Sequence, residues 1–497
     1  MTTETATKAV TGKTYQLLIN GESVAPKSGE TFDRHNPANG EIVATCPKAS
    51  VEDTDAAIQA ARNAFDSGSW AKAPARQRAE VLRKTANKIR EEHNELARLL
   101  ASEVGKPLSE AGMEVAMTAD VFDYYAGLAL DIKGQVVSNY VDDAVGLILK
   151  EPVGVVGIVT PWNFPLLLAT WKVAPALAVG CTIVIKPATY TPCTTYELGR
   201  ILNESGCPAG VMNVISGPGK DTGARLAASD LVDKIAFTGS TEVGKEVMKA
   251  AAGNVKKISL ELGGKSPNII FADANLQSAV IGSLFGIYLN AGQVCQAGSR
   301  ILVQQDVHDQ FLNMFTNFTA GLKVGDPMDP QTRMGPIVSE QQLKTVTDYV
   351  DAGKQEKAQL VQGGGRLTGD EYDKGYYYEP TIFDQVDNRM KIAQEEIFGP
   401  VLTIIPFKDA KEALQIANET MYGLAAAVWT NDINKAFKFA KGIKAGTVWV
   451  NCYHAAGGLG FPLMPYGGYK QSGIGRELGQ EGLDLFMETK SVLIKLM

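Results

Sequence analysis

The chain has 497 residues, of which 45% are hydrophobic and 21% charged, and its formal net charge is -7. At about 100–200 residues per domain, this length corresponds to roughly two to four domains, each able to bury a core, and the apolar content excludes a disordered chain. The acidic balance gives no electrostatic footprint for nucleic acid or for an anionic membrane, so we expect neither as a partner.

The N-terminal region is predicted to begin with short strands and to continue with helices. Its first segment, MTTETATKAVTGKTYQ, has no apolar stretch and no Arg, so we expect neither secretion nor import. Residues 14–45 have the pattern of short strands with Asn-Gly turn signals. Ser50 and Asp53 have the spacing of a capping box, so a helix should begin there and end before Gly68.

A longer helix should follow Pro74. Its apolar stripe falls at helical spacing on Leu82, Ala86, Ile89, His93, Leu96 and Leu100. Since His93 lies on that stripe, a structural role is favoured for it over a ligand role.

After residue 150, short apolar strands alternate with helix-like segments. The strands are VGVVGIV (153–159), CTIVIKP (181–187), VMNVI (211–215), KIAFTG (234–239) and ISLEL (258–262). This alternation is typical of a buried parallel sheet built from βαβ units, which binds ligands beyond the carboxyl ends of its strands. We therefore predict a Rossmann-like α/β domain whose binding loops follow these strands.

Three further segments complete the organisation of the chain. The uncharged run from Pro152 to Trp171 contains prolines and glycines, so it is predicted to be strand, loop and helix start instead of a membrane span. Residues 133–150 have the pattern of a two-stranded arm, and the C-terminal SVLIKLM is a strand that could pair with it and serve oligomerisation. A second α/β region should span about 264–470.

The cysteines and histidines give no metal site and no disulfide framework. The six cysteines include no C-x-x-C pair, and the four histidines include no H-x-x-x-H pair. We therefore expect no metal and reduced thiols, in keeping with a cytoplasmic enzyme.

Three segments are candidates for chemistry. FTGSTEVG (237–244) lies between a strand and a helix, where free backbone N–H groups could meet a phosphate, although an ordinary βα turn has the same pattern. Glu261 ends an apolar strand next to paired glycines, and Cys295 follows a Gly-containing turn. Taken singly, such a Glu is more often an ion-pair partner, and such a Cys is more often a small buried hydrophobe.

Taken together, these segments resemble the aldehyde dehydrogenase superfamily over nearly the whole chain. The motifs in chain order are PWNFP (161–165), WKVAPALA (171–178), KPAT (186–189), FTGSTEVG (237–244), LELGGKSP (260–267), NAGQVC (290–295), EEIFGP (395–400) and YGGYKQSGIGRE (466–477). The resemblance implies NAD(P)-dependent oxidation of an aldehyde to its carboxylic acid. The domains it implies are an NAD(P)-binding domain (1–132 and 151–263), a catalytic α/β domain (264–470) and a β arm (133–150 and 480–497) that forms a homodimer or homotetramer.

The resemblance also implies which residues carry out the reaction. Cys295 would attack the aldehyde and form a thiohemiacetal, and later a thioester. The side-chain amide of Asn163 and the N–H of Cys295 would form the oxyanion hole. Glu261 would be the general base for hydrolysis, a task suited to a carboxyl with a raised pKa. Glu477 resembles the proton-relay carboxylate, with a cap or a salt bridge to its neighbour as the alternative, and Lys172 would lie near the nicotinamide ribose and the proton path.

The cofactor residues follow from the same motifs. Lys186 and Ser240 would contact the ribose and phosphates, Trp162 the pyrophosphate, Glu396 the nicotinamide ribose and Phe398 the ring. The full cofactor-binding set is Thr160, Pro161, Trp162, Lys186, Thr189, Gly219, Phe237, Gly239, Ser240, Gly244, Glu396 and Phe398. Thr189 stands where many relatives have Glu, which would repel a 2′-phosphate, so we hypothesise that NADP is tolerated beside NAD.

The loop after Asn451, CYHAAGGLGFPLMP, is a few residues longer than the usual family spacing and should border the substrate tunnel. The candidate lining residues are Phe164, Trp171, Tyr288, Cys452, Tyr453 and His454. An aromatic, largely uncharged tunnel favours apolar, aromatic or cationic aldehydes. For His454, capping a loop is favoured over binding substrate.

Other functions remain as alternatives. In a CoA-acylating dehydrogenase, CoA would take the acyl group, but Glu261 argues against it, because such an enzyme needs no water-activating base. A catalytically silent protein on the same scaffold is disfavoured by the intact set of Cys295, Glu261 and Asn163. A cysteine hydrolase would need a histidine, and none lies near Cys295 in the sequence. The sequence leaves open which aldehyde is oxidised.

Overall fold

A computed structural model describes residues 12–138, 142–454 and 462–496. Residues 1–11, on which the expectation about secretion and import largely rests, and residues 455–461 of the loop after Asn451 lie outside this range. The strands are β1 (Lys13–Thr14), β2 (Leu17–Ile19), β3 (Glu22–Val24), β4 (Thr31–His35), β5 (Ile42–Pro47), β6 (Gln135–Val137), β7 (Ala144–Pro152), β8 (Val155–Val159), β9 (Thr182–Lys186), β10 (Met212–Val214), β11 (Lys234–Thr238), β12 (Lys257–Glu261), β13 (Pro267–Ile270), β14 (Arg300–Gln304), β15 (Gln359–Gln362), β16 (Thr381–Asp384), β17 (Val401–Phe407), β18 (Ala425–Trp429), β19 (Thr447–Val450), β20 (Gly473–Ile474) and β21 (Met487–Lys495). The α-helices are α1 (Val51–Ser67), α2 (Ala75–Glu91), α3 (His93–Val104), α4 (Leu108–Ala129), α5 (Pro165–Val179), α6 (Cys193–Glu204), α7 (Ala224–Ala228), α8 (Thr241–Ala251), α9 (Leu276–Tyr288), α10 (His308–Ala320), α11 (Glu340–Gln355), α12 (Lys391–Gln394), α13 (Ala410–Asn418), α14 (Ile433–Gly442) and α15 (Gly479–Asp484).

The first large sheet has the order β20-β12-β11-β8-β9-β10-β2-β3. Its five central strands, β12 to β10, are parallel and coincide with the five predicted apolar runs to within two residues. The chain passes from β8 to β9 and β10 on one side and returns to β11 and β12 on the other. Because the strand order reverses beside β8, a crevice opens at the carboxyl ends of β8 and β11, which is where such sheets bind ligands.

The start and the end of α1 follow from its local sequence. The predicted capping box is confirmed, because Ser50 Oγ accepts the N–H of Asp53 and the Asp53 carboxylate accepts the N–H of Ser50, at 3.1 and 2.9 Å. The helix ends at Gly68, whose φ is 77°. The single long helix predicted after Pro74 is wrong, since α2 and α3 are separated at Glu92.

The residue at the break between α2 and α3, Glu92, makes a long-range contact. The Glu92 carboxylate pairs with the guanidinium of Arg200 on α6, and the Glu92 backbone leaves helical geometry at ψ 12°. The predicted structural role of His93 is confirmed, because its Nε2 donates to the carbonyl of Gly112 at 3.0 Å. The ring therefore ties α3 to α4.

The second large sheet has the order β15-β16-β17-β14-β13-β18-β19, and all of it except β15 is parallel. A separate three-stranded sheet joins β6, β7 and β21, with Met487 opposite Pro152 and Lys495 opposite Ala144. The predicted pairing of the C-terminal strand with the arm is therefore confirmed. The run from Pro152 to Trp171 is β8, a loop and the start of α5, as predicted. None of the helices in the described ranges is both long and apolar enough to cross a membrane.

Candidate active site

Cys295 is delivered by a turn with unusual backbone geometry. Asn290, Ala291 and Gly292 are consecutive left-handed residues, with φ values of 48°, 53° and 73°. At Gly292 a side chain is excluded, because a Cβ would lie 2.1 Å from the carbonyl oxygen of Gly399. Left-handed backbone at Asn290 and Ala291 is costly and persists only where neighbours hold it. This geometry is typical of a site that must present one side chain.

The thiol of Cys295 faces polar groups from three parts of the chain. Its Sγ is 3.4 Å from the hydroxyl oxygen of Tyr466. Burial raises the pKa of the thiol to about 12; the Tyr466 hydroxyl opposes this rise, whereas the Glu396 and Glu261 carboxylates add to it. The half-buried cysteine is therefore surrounded by groups that control its ionisation.

Asn163 is held by its backbone as well as by its side chain. Its carbonyl oxygen accepts hydrogen bonds from Lys106 Nζ at 2.8 Å and from Asn290 Nδ2 at 3.0 Å. Its side-chain Nδ2 donates to the carbonyl of Gln293 at 2.9 Å. One N–H of the amide is thereby used, and the second is left for a ligand oxygen. Asn290 thus links Asn163 directly to the turn that carries Cys295.

Two carboxylates of α4 form hydrogen bonds that hold the turns carrying Asn163 and Cys295. Glu114 bonds Lys106 Nζ at 2.5 Å and accepts the N–H groups of Leu166 and Leu167 at the start of α5. Four residues earlier, Glu110 accepts the N–H of Asn290 at 2.8 Å. One face of α4 therefore fixes both the turn of Asn163 and the turn of Cys295.

Replacing Lys106 with Met should destabilise the protein strongly. The Lys106 and Glu114 side chains are both 0% exposed, so the variant leaves a buried carboxylate without its cation. We expect a loss of about 3–5 kcal/mol in the free energy of unfolding, measured by denaturant titration. The double variant Lys106→Met/Glu114→Gln removes both charges and should recover part of that loss. Equal stability of the single variant and the wild type would contradict a supporting role for the pair.

Glu261 is the last residue of β12, and its carboxyl group is buried. Within the described residues, neither of its oxygens has a hydrogen-bond partner. Burial and the nearby Glu477 carboxylate raise its pKa well above the usual value, while Lys172 opposes the rise. Lys172 Nζ lies 2.8 Å from Glu477, inside the protein. The structure thus brings Glu261, Lys172 and Glu477 together as one charged group, with Glu261 free to act on a water.

A cleft of about 200 Å³ joins part of the predicted cofactor set to the predicted catalytic residues. The residues that line the cleft include eight that the sequence predicts: Pro161, Trp162, Asn163, Gly239, Ser240, Cys295, Glu396 and Phe398. Trp162 and Phe398 meet edge to face across it at 5.1 Å, and Phe398 has a left-handed φ of 57°. Glu396 accepts the N–H of Gly264 at 3.0 Å, and burial raises its pKa to about 7.

These features fit a dinucleotide. The cleft lies at the N-terminus of α8, where Ser240 caps the helix. A Cβ on Gly239 would lie 2.5 Å from the ring of Phe237, and one on Gly263 would lie 2.4 Å from a carboxylate oxygen of Glu396. A side chain is therefore excluded at both of these cleft-lining positions.

The other predicted cofactor residues lie along the same sheet edge or beneath it. Thr160 is buried at the end of β8, and its N–H bonds the carbonyl of Lys186 at the end of β9 at 3.2 Å. Burial lowers the pKa of Lys186 to about 8. Thr189 is half-buried in the loop that follows, and Gly219 begins a π-helical turn, Gly219–Gly223. Gly244 lies inside α8, where a Cβ would meet Leu262 at 2.5 Å, so its small size serves helix packing.

Five of the six predicted tunnel residues are buried side chains, and Cys452 is half-buried. Tyr453 donates its hydroxyl to the carbonyl of Gln296 at 2.7 Å. The Gln296 amide contacts His454 Nδ1 at 2.9 Å, and burial lowers the pKa of His454 to about 3, so the ring is neutral. Tyr453 and His454 thus anchor the loop to the residue after Cys295, in keeping with the favoured capping role of His454.

The remaining three tunnel residues differ in position. Trp171 packs edge to face on Tyr466 at 5.1 Å, and Tyr466 in turn contacts Cys295. The ring of Phe164 lies 3.6 Å below Lys106 Nζ, and Tyr288 packs on Phe315 at 6.2 Å. These contacts of Phe164 and Tyr288 are therefore with buried residues of the core, and not with Cys295.

Sequence reasoning missed the residues that support the site. Glu110 and Glu114 are four residues apart on α4, which places them on one helical face, and Lys106 lies just before that helix. Buried charges on an apolar helix are a signal that could have identified this face. Nothing in the sequence indicated that the hydroxyl of Tyr466 contacts Cys295, although Tyr466 begins one of the quoted motifs.

Comparison with known proteins gives a consistent result. The profile of the Aldehyde dehydrogenase family matches residues 24–492. A betaine aldehyde dehydrogenase of Bacillus subtilis is 45% identical over 476 residues, which cover 96% of each chain. A peroxisomal aminoaldehyde dehydrogenase of Pisum sativum is 43% identical over 485 residues, covering 96% of this chain and 95% of the relative.

Solved structures show the same likeness. A crystal structure of betaine aldehyde dehydrogenase from Staphylococcus aureus in complex with NAD+ has a TM-score of 0.95 at 44% identity, covering 97% of this chain and 95% of the other. The NAD-dependent aldehyde dehydrogenase from Sinorhizobium meliloti gives the same four values.

Proposed function

This chain belongs to the aldehyde dehydrogenase family, and from that premise we propose that it oxidises an aldehyde to its carboxylic acid with NAD+, through a covalent intermediate on Cys295. One observation carries this proposal: a single cleft contains the thiol of Cys295, the amide of Asn163 and the Glu396–Phe398 segment. The parallel sheet and the likeness to solved structures show the expected Rossmann-like α/β architecture. The boundaries proposed for the NAD(P)-binding domain, the catalytic domain and the arm are those predicted from the sequence.

The first half of the reaction uses Cys295 and Asn163. The Cys295 thiolate attacks the carbonyl carbon, a bond forms between sulfur and carbon, and the carbonyl electrons move to oxygen. The free N–H of the Asn163 amide and the backbone N–H of Cys295 stabilise that oxyanion, a role for which one donor typically contributes about 10²–10³ in rate. Bound NAD+ supplies the acceptor for the hydride.

The second half of the reaction uses Glu261. After oxidation, the acyl group is a thioester on Cys295, and Glu261 takes a proton from the water that hydrolyses it. The Lys172–Glu477 pair behind Glu261 can then pass this proton outward. The buried, uncompensated carboxyl of Glu261 supports hydrolysis over transfer of the acyl group to CoA.

The substrate class follows from the rings around Cys295. Trp171 packs on Tyr466, whose hydroxyl contacts the thiol, and the carboxylates of Glu261 and Glu396 face that thiol. Aromatic faces attract cations by about 0.5–2 kcal/mol. Together with the betaine aldehyde and aminoaldehyde dehydrogenases among its relatives, this supports an apolar or cationic aldehyde as substrate.

We also propose that the protein is a cytoplasmic homodimer or homotetramer. The sheet of β6, β7 and β21 exposes apolar side chains, among them Val136 at 70% and Leu493 at 76%. Burying such a surface against a second copy would remove it from water.

The panel experiment that tests the function is direct. Purified protein is offered apolar, aromatic, cationic and carboxylate-bearing aldehydes with NAD in the absence of CoA, and NADH formation is followed. We expect the highest kcat/KM for apolar or cationic aldehydes. NADH formation that requires CoA would indicate the acylating alternative, and absence of turnover under both conditions would favour a catalytically silent protein.

Cofactor choice gives a separate prediction at Thr189. The wild type should use NADP as well as NAD, because Thr189 carries no charge to repel a 2′-phosphate. Thr189→Glu should lower kcat/KM for NADP by about 10–100-fold, through like-charge repulsion. Turnover with NAD in the same variant is the internal control and should be retained. A wild-type kcat/KM that strongly favours NAD would contradict this prediction.

A further inference from the structure

The phenol of Tyr466 lies against the thiol of Cys295 in a fixed position. Its oxygen is 3.4 Å from Sγ. Backbone hydrogen bonds join Tyr466 to Glu477 in both directions, at 2.6 and 2.7 Å, and its ring packs on Trp171. The hydroxyl is therefore held beside the reacting sulfur by the loop before α15.

The hydroxyl can act only as a hydrogen-bond donor when the sulfur is ionised. Burial raises the pKa of Tyr466 far above its usual value, and the neighbouring thiol and Glu261 add to this rise. Tyr466 therefore keeps its proton over the range in which a cysteine titrates. A thiolate has no proton to donate, so in the pair of Tyr466 and Cys295 the tyrosine must donate.

Of the other groups that face the sulfur, some raise and some lower the pKa of the Cys295 thiol. Glu261 approaches from the end of β12 and Glu396 from the segment after α12, and each carboxylate disfavours a thiolate. The backbone N–H of Gln296 favours it, and the phenol of Tyr453 is a further titratable neighbour. Against two carboxylates and burial, the hydroxyl of Tyr466 is the side-chain donor that offsets part of the cost of ionisation.

We propose that Tyr466 is a further catalytic residue, whose hydroxyl donates a hydrogen bond to Sγ of Cys295 and stabilises the attacking thiolate. This role rests on the proposed function. The thiol first loses its proton to solvent; the sulfur electron pair then forms the bond to the carbonyl carbon as the carbonyl π bond breaks toward oxygen. Tyr466 keeps its own proton throughout.

Tyr466→Phe tests this proposal and keeps the ring against Trp171. The full-length protein is treated with iodoacetamide over the pH range in which thiols titrate, and alkylation of the peptide that contains Cys295 is quantified by mass spectrometry. We expect the midpoint of alkylation to move upward by about one to two pH units, since a hydrogen bond to a charged group has been removed. At any pH well below the midpoint, the variant should react about 10–100-fold more slowly, because each pH unit by which the midpoint moves lowers the thiolate fraction about tenfold.

Tyr378→Phe is the matched control. It removes the hydroxyl of another buried tyrosine, 1% exposed against 5% for Tyr466, from the separate core around β16. The proposal is overturned by an unchanged midpoint in Tyr466→Phe, or by equal shifts in both variants. Because alkylation needs neither aldehyde nor cofactor, a wild type that oxidises no aldehyde would contradict the proposed function independently of this result.

Discussion

Replacing Cys295 with Ala is expected to lower kcat/KM for aldehyde oxidation by about 10⁴–10⁶-fold, as removal of a covalent nucleophile does. Without the sulfur, no thiohemiacetal forms, and the aldehyde carbon stays planar with no electron pair to expel a hydride. The turn before Cys295 is held by backbone and by Asn290 and Glu110, so the variant should fold. NADH absorbance in the presence of the best aldehyde measures the effect.

The matched control is Cys207→Ala. Burial raises the pKa of Cys207 to about 12, as it does for Cys295, but Cys207 follows α6, outside the residues that line the cleft. It should retain wild-type turnover with a small loss of stability. If Cys295→Ala also oxidised aldehydes at the wild-type rate, the covalent route would be excluded. If both variants were inactive, the effect would be structural.

The parallel sheet and its crevice could be predicted because their determinants are local. The strands from β8 to β12 are continuous apolar runs between glycines and helix starts, and α1 carries its own capping box. Such signals need only neighbours in the sequence. The roles expected for Cys295, Glu261 and Asn163 come instead from the resemblance of their short motifs to those of a known family.

What the sequence missed depends on contacts between distant residues. Glu92, at the break between α2 and α3, pairs with Arg200, 108 positions away, and Lys106 reaches the carbonyl of Asn163 over 57 positions. The hydroxyl of Tyr466 meets Cys295 across 171 positions. No periodicity or spacing encodes these pairs, because they exist only once two separate parts of the fold have packed together.

Glu261→Gln should separate the two halves of the reaction. Gln has the size of Glu but takes no proton from water, so the thioester on Cys295 would form and then persist. We expect a burst of about one NADH per active site, followed by a steady-state rate lowered by about 10²–10⁴-fold. Rapid-mixing absorbance measures the burst, and mass spectrometry of the quenched enzyme should show the acyl group on Cys295. Glu246→Gln, on the exposed side of α8, is the control and should behave as the wild type.

The pH dependence gives an independent check on the same residue. Burial and Glu477 raise the pKa of Glu261, and only the ionised carboxylate can act as a base. The steady-state rate of the wild type should therefore fall as pH decreases through this raised pKa, whereas that of Glu261→Gln should lack this fall. An unchanged steady-state rate in the variant would exclude Glu261 as the base for hydrolysis. Loss of the burst together with the steady state would instead place Glu261 before hydride transfer, as a base for the thiol of Cys295.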